Sequence, residues 1–149
     1  MAKKGAKGRF GVDFIAVPGA KWEIYALEIN LRQGGTTHPY ETLHYLTTGT
    51  YSAEDGIYTS SRGEEKYYIA SDNICKPAYK GLLPSDLMTI IGNHSLLFED
   101  DTHTGVVFHL MGALSQYGKV GATCIGNSYE EAQQLYDNVI SVLDRETSH

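Results

Sequence analysis

Apolar and polar positions alternate along residues 9 to 17 and again along residues 22 to 31, with the turn formers Pro18-Gly19-Ala20-Lys21 between them. A period of two in β-branched and aromatic residues predicts two strands joined as a hairpin. Phe10, Val12, Phe14 and Ala16 then share one side of the first strand, and Tyr25, Leu27, Ile29 and Leu31 share one side of the second. If these apolar sets face a core together, the opposite side carries Gly11, Asp13 and Ile15 beside Trp22, Ile24, Ala26, Glu28 and Asn30. Three oxygen-bearing side chains, Asp13, Glu28 and Asn30, thereby gather on one surface.

Beyond this hairpin the pattern changes. The paired glycines of Gln33-Gly34-Gly35-Thr36-Thr37-His38-Pro39 permit unusual backbone angles, and Pro39 suits the first position of a short helix carrying Leu43, Tyr45 and Leu46. Gly49 is placed to end that helix in a left-handed conformation. Residues 51 to 62 read as loop with at most a short strand, and Tyr67 to Ala70 as a strand. Pro84-Ser85-Asp86 opens a helix bearing Leu87, Ile90 and Ile91, which Gly92-Asn93 stops. Gly105 to Met111 and Lys119 to Ile125 predict a second hairpin with a long connection. Ser128 and Glu131 form a capping box ahead of Ala132, Leu135, Tyr136, Val139 and Leu143, which repeat at helical spacing up to Arg145. Hairpins and separate helices, with no regular strand-helix alternation and no repeat, indicate an α+β fold of antiparallel hairpins with packed helices.

Composition narrows the function classes. With 149 residues, 42% of them hydrophobic and 20% charged, the chain has the make-up of an ordinary globular protein with room for a core. A net charge of −6 argues against a surface built to neutralise nucleic-acid phosphates. The basic cluster Lys3, Lys4, Lys7 and Arg9 has no apolar stretch behind it, so it is not a secretory signal, and no apolar run reaches membrane-spanning length. The expected location is the cytoplasm. Cys75 and Cys124 are read as reduced, buried side chains. His94, His103 and His109 are spaced too loosely to make a metal site the preferred reading; Glu99-Asp100-Asp101 reads as a charged loop, and Tyr67-Tyr68 as a strand pair with one ring buried.

The chemistry concentrates in the first forty residues. Two carboxylates about 5 Å apart repel by roughly 3 kcal/mol at an effective dielectric of 20, so a proton, an arginine or a divalent cation must relieve Asp13 and Glu28. An oxygen set without His or Cys suits Mg²⁺ or Mn²⁺, with water and phosphate oxygens completing the coordination. The plainer alternative is a solvent-facing pair balanced by Arg9 or Arg32. Arg32, two residues past Asn30, points to the same face in a continuing strand and suits a phosphoryl group or a carboxylate. Gly34, Gly35, Thr36, Thr37 and His38 at a helix start offer backbone N–H groups and hydroxyls to an anion, or simply reverse the chain and cap the helix.

Gly8-Arg9-Phe10-Gly11-Val12-Asp13-Phe14 followed by Leu27-Glu28-Ile29-Asn30-Leu31-Arg32 resembles the late hairpin of ATP-grasp ligases. Residues 28 to 39 resemble the branch that includes the pheganomycin-type peptide ligases, and Phe108 to Leu114 with Gly126-Asn127-Ser128 are similar to the C-terminal domain of that branch. The resemblance implies a division into residues 1–50, part of an ATP-grasp lobe, and residues 51–149, a small α+β domain. It implies Asp13, Glu28 and Asn30 as ligands of magnesium ions on ATP, Arg32 as a phosphate or acyl-phosphate contact, and a carboxylate–amine substrate pair. Neither nucleic acid nor membrane is implied as a partner. The family's nucleotide-clamping lysines precede this hairpin, so an N-terminal lobe or a second subunit is expected to supply them, and the chain by itself is expected to be inactive. A non-catalytic α+β interaction module that keeps the hairpin for structure is the competing reading.

Overall fold

Strands β1 (Gly11–Val17) and β2 (Glu23–Asn30) form the first antiparallel sheet of the computed structural model, which describes residue 5 and residues 7–148. Lys3 and Lys4 of the basic cluster lie outside the described residues. The described chain divides into two compact units, one reaching to Glu41 and the other starting at Thr42.

The first unit holds the hairpin and the opening of helix α1 (Thr37–Thr47). Both hairpin faces are open: Phe14, Ile15, Trp22, Ile24, Leu27 and Ile29 are all exposed. The expected apolar side exists only in part, because the strand register shifts. Asp13 pairs with Glu28, but Phe14 pairs with Ala26, which leaves Leu27 without a partner as a β-bulge. Past the bulge β2 presents its residues the other way. Tyr25 falls on the side of Asp13 and Ile15, while Ile24 and Ala26 fall on the side of Phe14 and Ala16. The single-period assignment of faces along β2 is therefore corrected for residues 24 to 26.

The second unit is built on a three-stranded antiparallel sheet in the order β5 (Tyr67–Cys75), β7 (Lys119–Gly126), β6 (Gly105–His109). Every residue of β7 after Lys119 is buried. Val120, Ala122 and Cys124 join Ile74, Val106 and Phe108 in one core with Leu87 and Ile91 of α2 (Pro84–Asn93) and Val139, Val142 and Leu143 of α4 (Tyr129–Glu146). Residue alternation along β7 puts this core on one face, with α4 covering it. Between β6 and β7 a 3-10 turn leads into the short helix α3 (Leu114–Tyr117).

The α+β class and the antiparallel hairpins are as expected, with differences in detail. Residues 51 to 62, expected as loop with at most a short strand, contain most of a small hairpin of two short strands, β3 (Thr50–Ser52) and β4 (Ile57–Thr59). Pro39 is the third residue of α1, which starts at Thr37, and Thr48 rather than Gly49 takes the left-handed conformation after it, at φ +45°. Tyr67 and Tyr68 are both half-buried, and Tyr45 stands exposed rather than facing a core. The capping box of α4 forms with one change of partner. Ser128 Oγ accepts the Glu131 amide at 3.1 Å, while the Glu131 carboxylate accepts the Asn127 amide at 2.6 Å.

Candidate functional site

Pairing across β1 and β2 sets Gly11 opposite Asn30 and Asp13 opposite Glu28, with the bulge immediately beyond. The Asn30 side-chain amide donates to Asp13 Oδ2 at 3.1 Å. Asp13, Glu28 and Asn30 therefore share one side of the hairpin, at the end where the two strands meet the Gln33–His38 turn. A bulge beside a polar pair adds local twist and re-aims the neighbouring side chains.

Among the described residues neither Asp13 nor Glu28 has an ion-pair partner. The guanidinium of Arg9 pairs with Glu41 at 3.1 Å and lies 3.9 Å from the Tyr40 ring centroid, so it balances another carboxylate. Among the described residues the Arg32 guanidinium donates to the neighbouring Gln33 carbonyl, at 3.4 Å, and Arg32 is exposed. The donor set of two carboxylates and one amide oxygen, all solvent-accessible, fits a hard divalent cation that retains water and phosphate ligands. Among the described residues no group of three or more His, Cys, Asp and Glu is placed to hold a metal ion.

The turn after β2 is tighter than the sequence suggests. Thr37 N–H donates to the Gly34 carbonyl at 3.0 Å, and Gly34 N–H donates back to Thr37 Oγ1 at 3.2 Å. The Gly34 amide and the Thr37 hydroxyl are thus engaged with each other. Neither Gly34 nor Gly35 has a positive φ, and a Cβ on either would meet nothing within 4 Å. Their backbone is ordinary.

The three histidines separate. His94 lies 3.3 Å from Glu146, His109 ends β6 opposite Gly121, and His103 sits buried in the turn between Glu99 and Gly105. Around His103 the structure assembles a group that sequence reading passed over. The Lys66 side chain has no exposed surface, and its ammonium contacts Glu64 Oε2 at 3.0 Å, the Thr102 carbonyl at 3.0 Å and Asn127 Oδ1 at 2.5 Å. The one local signal was a lysine entering a strand between Glu64-Glu65 and Tyr67-Tyr68; its partners lie 36 and 61 residues away.

Residues 86–139, from α2 through most of α4, match the family model described as the PGM1 C-terminal domain. The L-propargylglycine--L-glutamate ligase of Streptantibioticus cattleyicolor is 34% identical over 129 residues, which is 86% of this chain and 26% of that ligase. The chain thus spans about a quarter of the length of the curated relative it matches. No solved structure matches. The likeness to the C-terminal portion of a pheganomycin-type ATP-grasp ligase, read from Glu28-x-Asn30-x-Arg32 and the later motifs, agrees with both findings. Asp13, Glu28, Asn30 and Arg32 lie outside the span matched to the PGM1 C-terminal domain, whereas His103, Asn127 and the 99–105 turn lie inside it.

Proposed function

We propose that the chain is the C-terminal part of a cytoplasmic ATP-dependent ligase that joins a carboxylate to an amine, with residues 1–50 serving the nucleotide and residues 51–149 forming an appended domain. Similarity to an L-propargylglycine--L-glutamate ligase supports the ligase class. One observation carries the assignment of the site: Asp13 and Glu28 are paired across the hairpin with no cationic side chain bridging them among the described residues, and Asn30 is hydrogen-bonded to Asp13.

In this reading Asp13, Glu28 and the carbonyl of Asn30 would hold Mg²⁺ or Mn²⁺, which when bound would supply charge neutralisation at phosphoryl oxygens. Arg32 orients the phosphoryl or acyl-phosphate oxygens with its planar fork. Thr36, His38 and the Gly35 amide receive the anion at the start of α1, while the bonded pair of Gly34 and Thr37 fixes the shape of that turn. The nucleotide-clamping lysines come from an N-terminal lobe or second subunit docked on the hairpin. Its open apolar residues, Trp22, Ile24 and Leu27 among them, fit that contact. The chain alone is then inactive.

Titration of Mn²⁺, followed by the electron paramagnetic resonance of the free ion, tests the site. The expected result is weak binding that tightens with ATP in the native chain and is lost in Glu28→Gln. Superimposable curves for the two proteins, with and without ATP, count against the metal role.

A further inference from the structure

The turn from Glu99 to Thr104 is held by cations that come from a distant part of the chain. Arg62 donates to the Asp101 carbonyl at 2.5 Å, and Lys66 donates to the Thr102 carbonyl at 3.0 Å. Lys66 also reaches Asn127 Oδ1, directly ahead of α4, so one buried ammonium ties this turn to the start of the C-terminal helix. Within the turn, the Glu99 amide donates to the Thr104 carbonyl at 2.9 Å and the hydroxyls of Thr102 and Thr104 lie 2.8 Å apart.

His103 sits inside this arrangement. It is only 7% exposed, its φ is +53°, and its ring stacks on Phe98 at a centroid distance of 6.5 Å. A non-glycine residue held in the left-handed region stores strain that its surroundings must offset. Its Nδ1 is buried and has no hydrogen-bond partner among the described residues. The charges acting on the ring are Arg62 and Lys66 on one side of the balance and Glu64 and Asp100 on the other.

We propose that residues 99–105 form a pH-sensitive latch, in which a proton on His103 places a third positive charge against Arg62 and Lys66 and releases the turn from the start of α4. A buried imidazolium with no acceptor at Nδ1 has lost its hydration without replacement. The opened turn exposes the ring to water, where the added proton is solvated and the two cations no longer oppose it. Burial holds the His103 imidazole below the ordinary histidine range, with Arg62 and Lys66 pushing the same way and Glu64 and Asp100 partly offsetting them. For a depressed pKa the sign is fixed. The closed turn is fully favoured above the ordinary histidine value of about 6.5 and loses ground as pH falls from there through the lower value of the closed form.

Amide hydrogen exchange of the native chain, corrected for the pH dependence of intrinsic exchange, tests this at pH 7.5 and pH 5. Protection across residues 99–105 is expected to fall at the lower pH by up to about tenfold per pH unit, the limit for a one-proton linkage, while β7 keeps its protection. His103→Gln, neutral at both pH values, is expected to abolish that dependence, and His94→Gln to leave it intact. Equal protection at both pH values, or an undiminished drop in His103→Gln, overturns the proposal. If His103→Gln does not fold, NMR titration of the imidazole signals in the native chain decides. A His103 midpoint below the ordinary histidine value that coincides with opening supports the latch, and a midpoint at or above that value overturns it.

Discussion

Asp144, in α4, is a half-buried carboxylate with close donors from Lys76 and Tyr79. Lys76 Nζ lies 2.7 and 2.6 Å from its two oxygens, and the hydroxyl of the fully buried Tyr79 donates to it at 2.7 Å. The hydrogen bonds from Lys76 and then Tyr79 hold its carboxyl below the ordinary carboxylate range, while burial and Asp144 itself push the Tyr79 phenol up. Asp144→Ala removes the acceptor of the Tyr79 hydroxyl and is expected to lower the midpoint of urea unfolding, with Asp144→Asn milder. Because the Asp144 pKa is depressed on folding, its contribution is present above the ordinary Asp value of about 3.9 and is lost as pH falls through the lower folded value. Asp144→Asn is therefore expected to flatten the acid limb of the stability profile. The cysteines show what single residues conceal from a sequence. Both were read as buried, yet Cys75, at the last position of β5, is exposed, and only Cys124, on the central strand, is enclosed. Burial pushes the Cys124 thiol up to about 12. Ellman's reagent at pH 8 is expected to label one thiol in the native chain and two after unfolding; two fast thiols in the folded chain contradict the burial of Cys124.

Among the elements, the strands and helices with a sustained period were legible: β1, β2, α2, β6, β7 and α4 all lie where alternation or helical spacing places them. Features set by a distant partner were not. The bulge at Leu27 follows from how β1 meets β2, and nothing in the residues 23 to 30 alone marks it. The β3–β4 hairpin depends on Tyr58, whose hydroxyl contacts Thr47 Oγ1 at 3.0 Å and accepts the Gly49 amide at 2.9 Å. Gly49 itself is needed for close approach rather than for a left-handed turn, since a Cβ there would lie 2.1 Å from the Thr59 carbonyl. Gly49→Ala must move backbone and is expected to cost about 1–3 kcal/mol, whereas Gly34→Ala, with open space and an ordinary φ, is expected to be nearly neutral. Paired thermal unfolding measurements separate the two; equal shifts contradict the packing account. At α4, Ser128→Ala removes the acceptor for the Glu131 amide and is expected to cost about 1 kcal/mol.

Taken whole, the chain combines a second unit with a continuous core and a first unit whose hairpin faces are open. Two strands on their own are marginally stable in water. Amides of β1 and β2 are accordingly expected to exchange well before those of β7, and Trp22, 69% exposed, to emit as a solvated indole until a partner covers it. Among the described residues no helix is long and apolar enough to cross a membrane. The candidate site was largely legible because the three oxygen-bearing residues lie on the regular side of the bulge, where alternation still holds. The Lys66–His103–Asn127 group was not, because it joins three segments that no local pattern connects. The most direct test of the metal-nucleotide reading is the residue-by-residue broadening of amide resonances by trace Mn²⁺ with ATP. The account predicts selective loss at Asp13, Glu28 and Asn30, abolished by Glu28→Gln; broadening confined to the acidic loop at Glu99, Asp100 and Asp101, unchanged by that substitution, would contradict it.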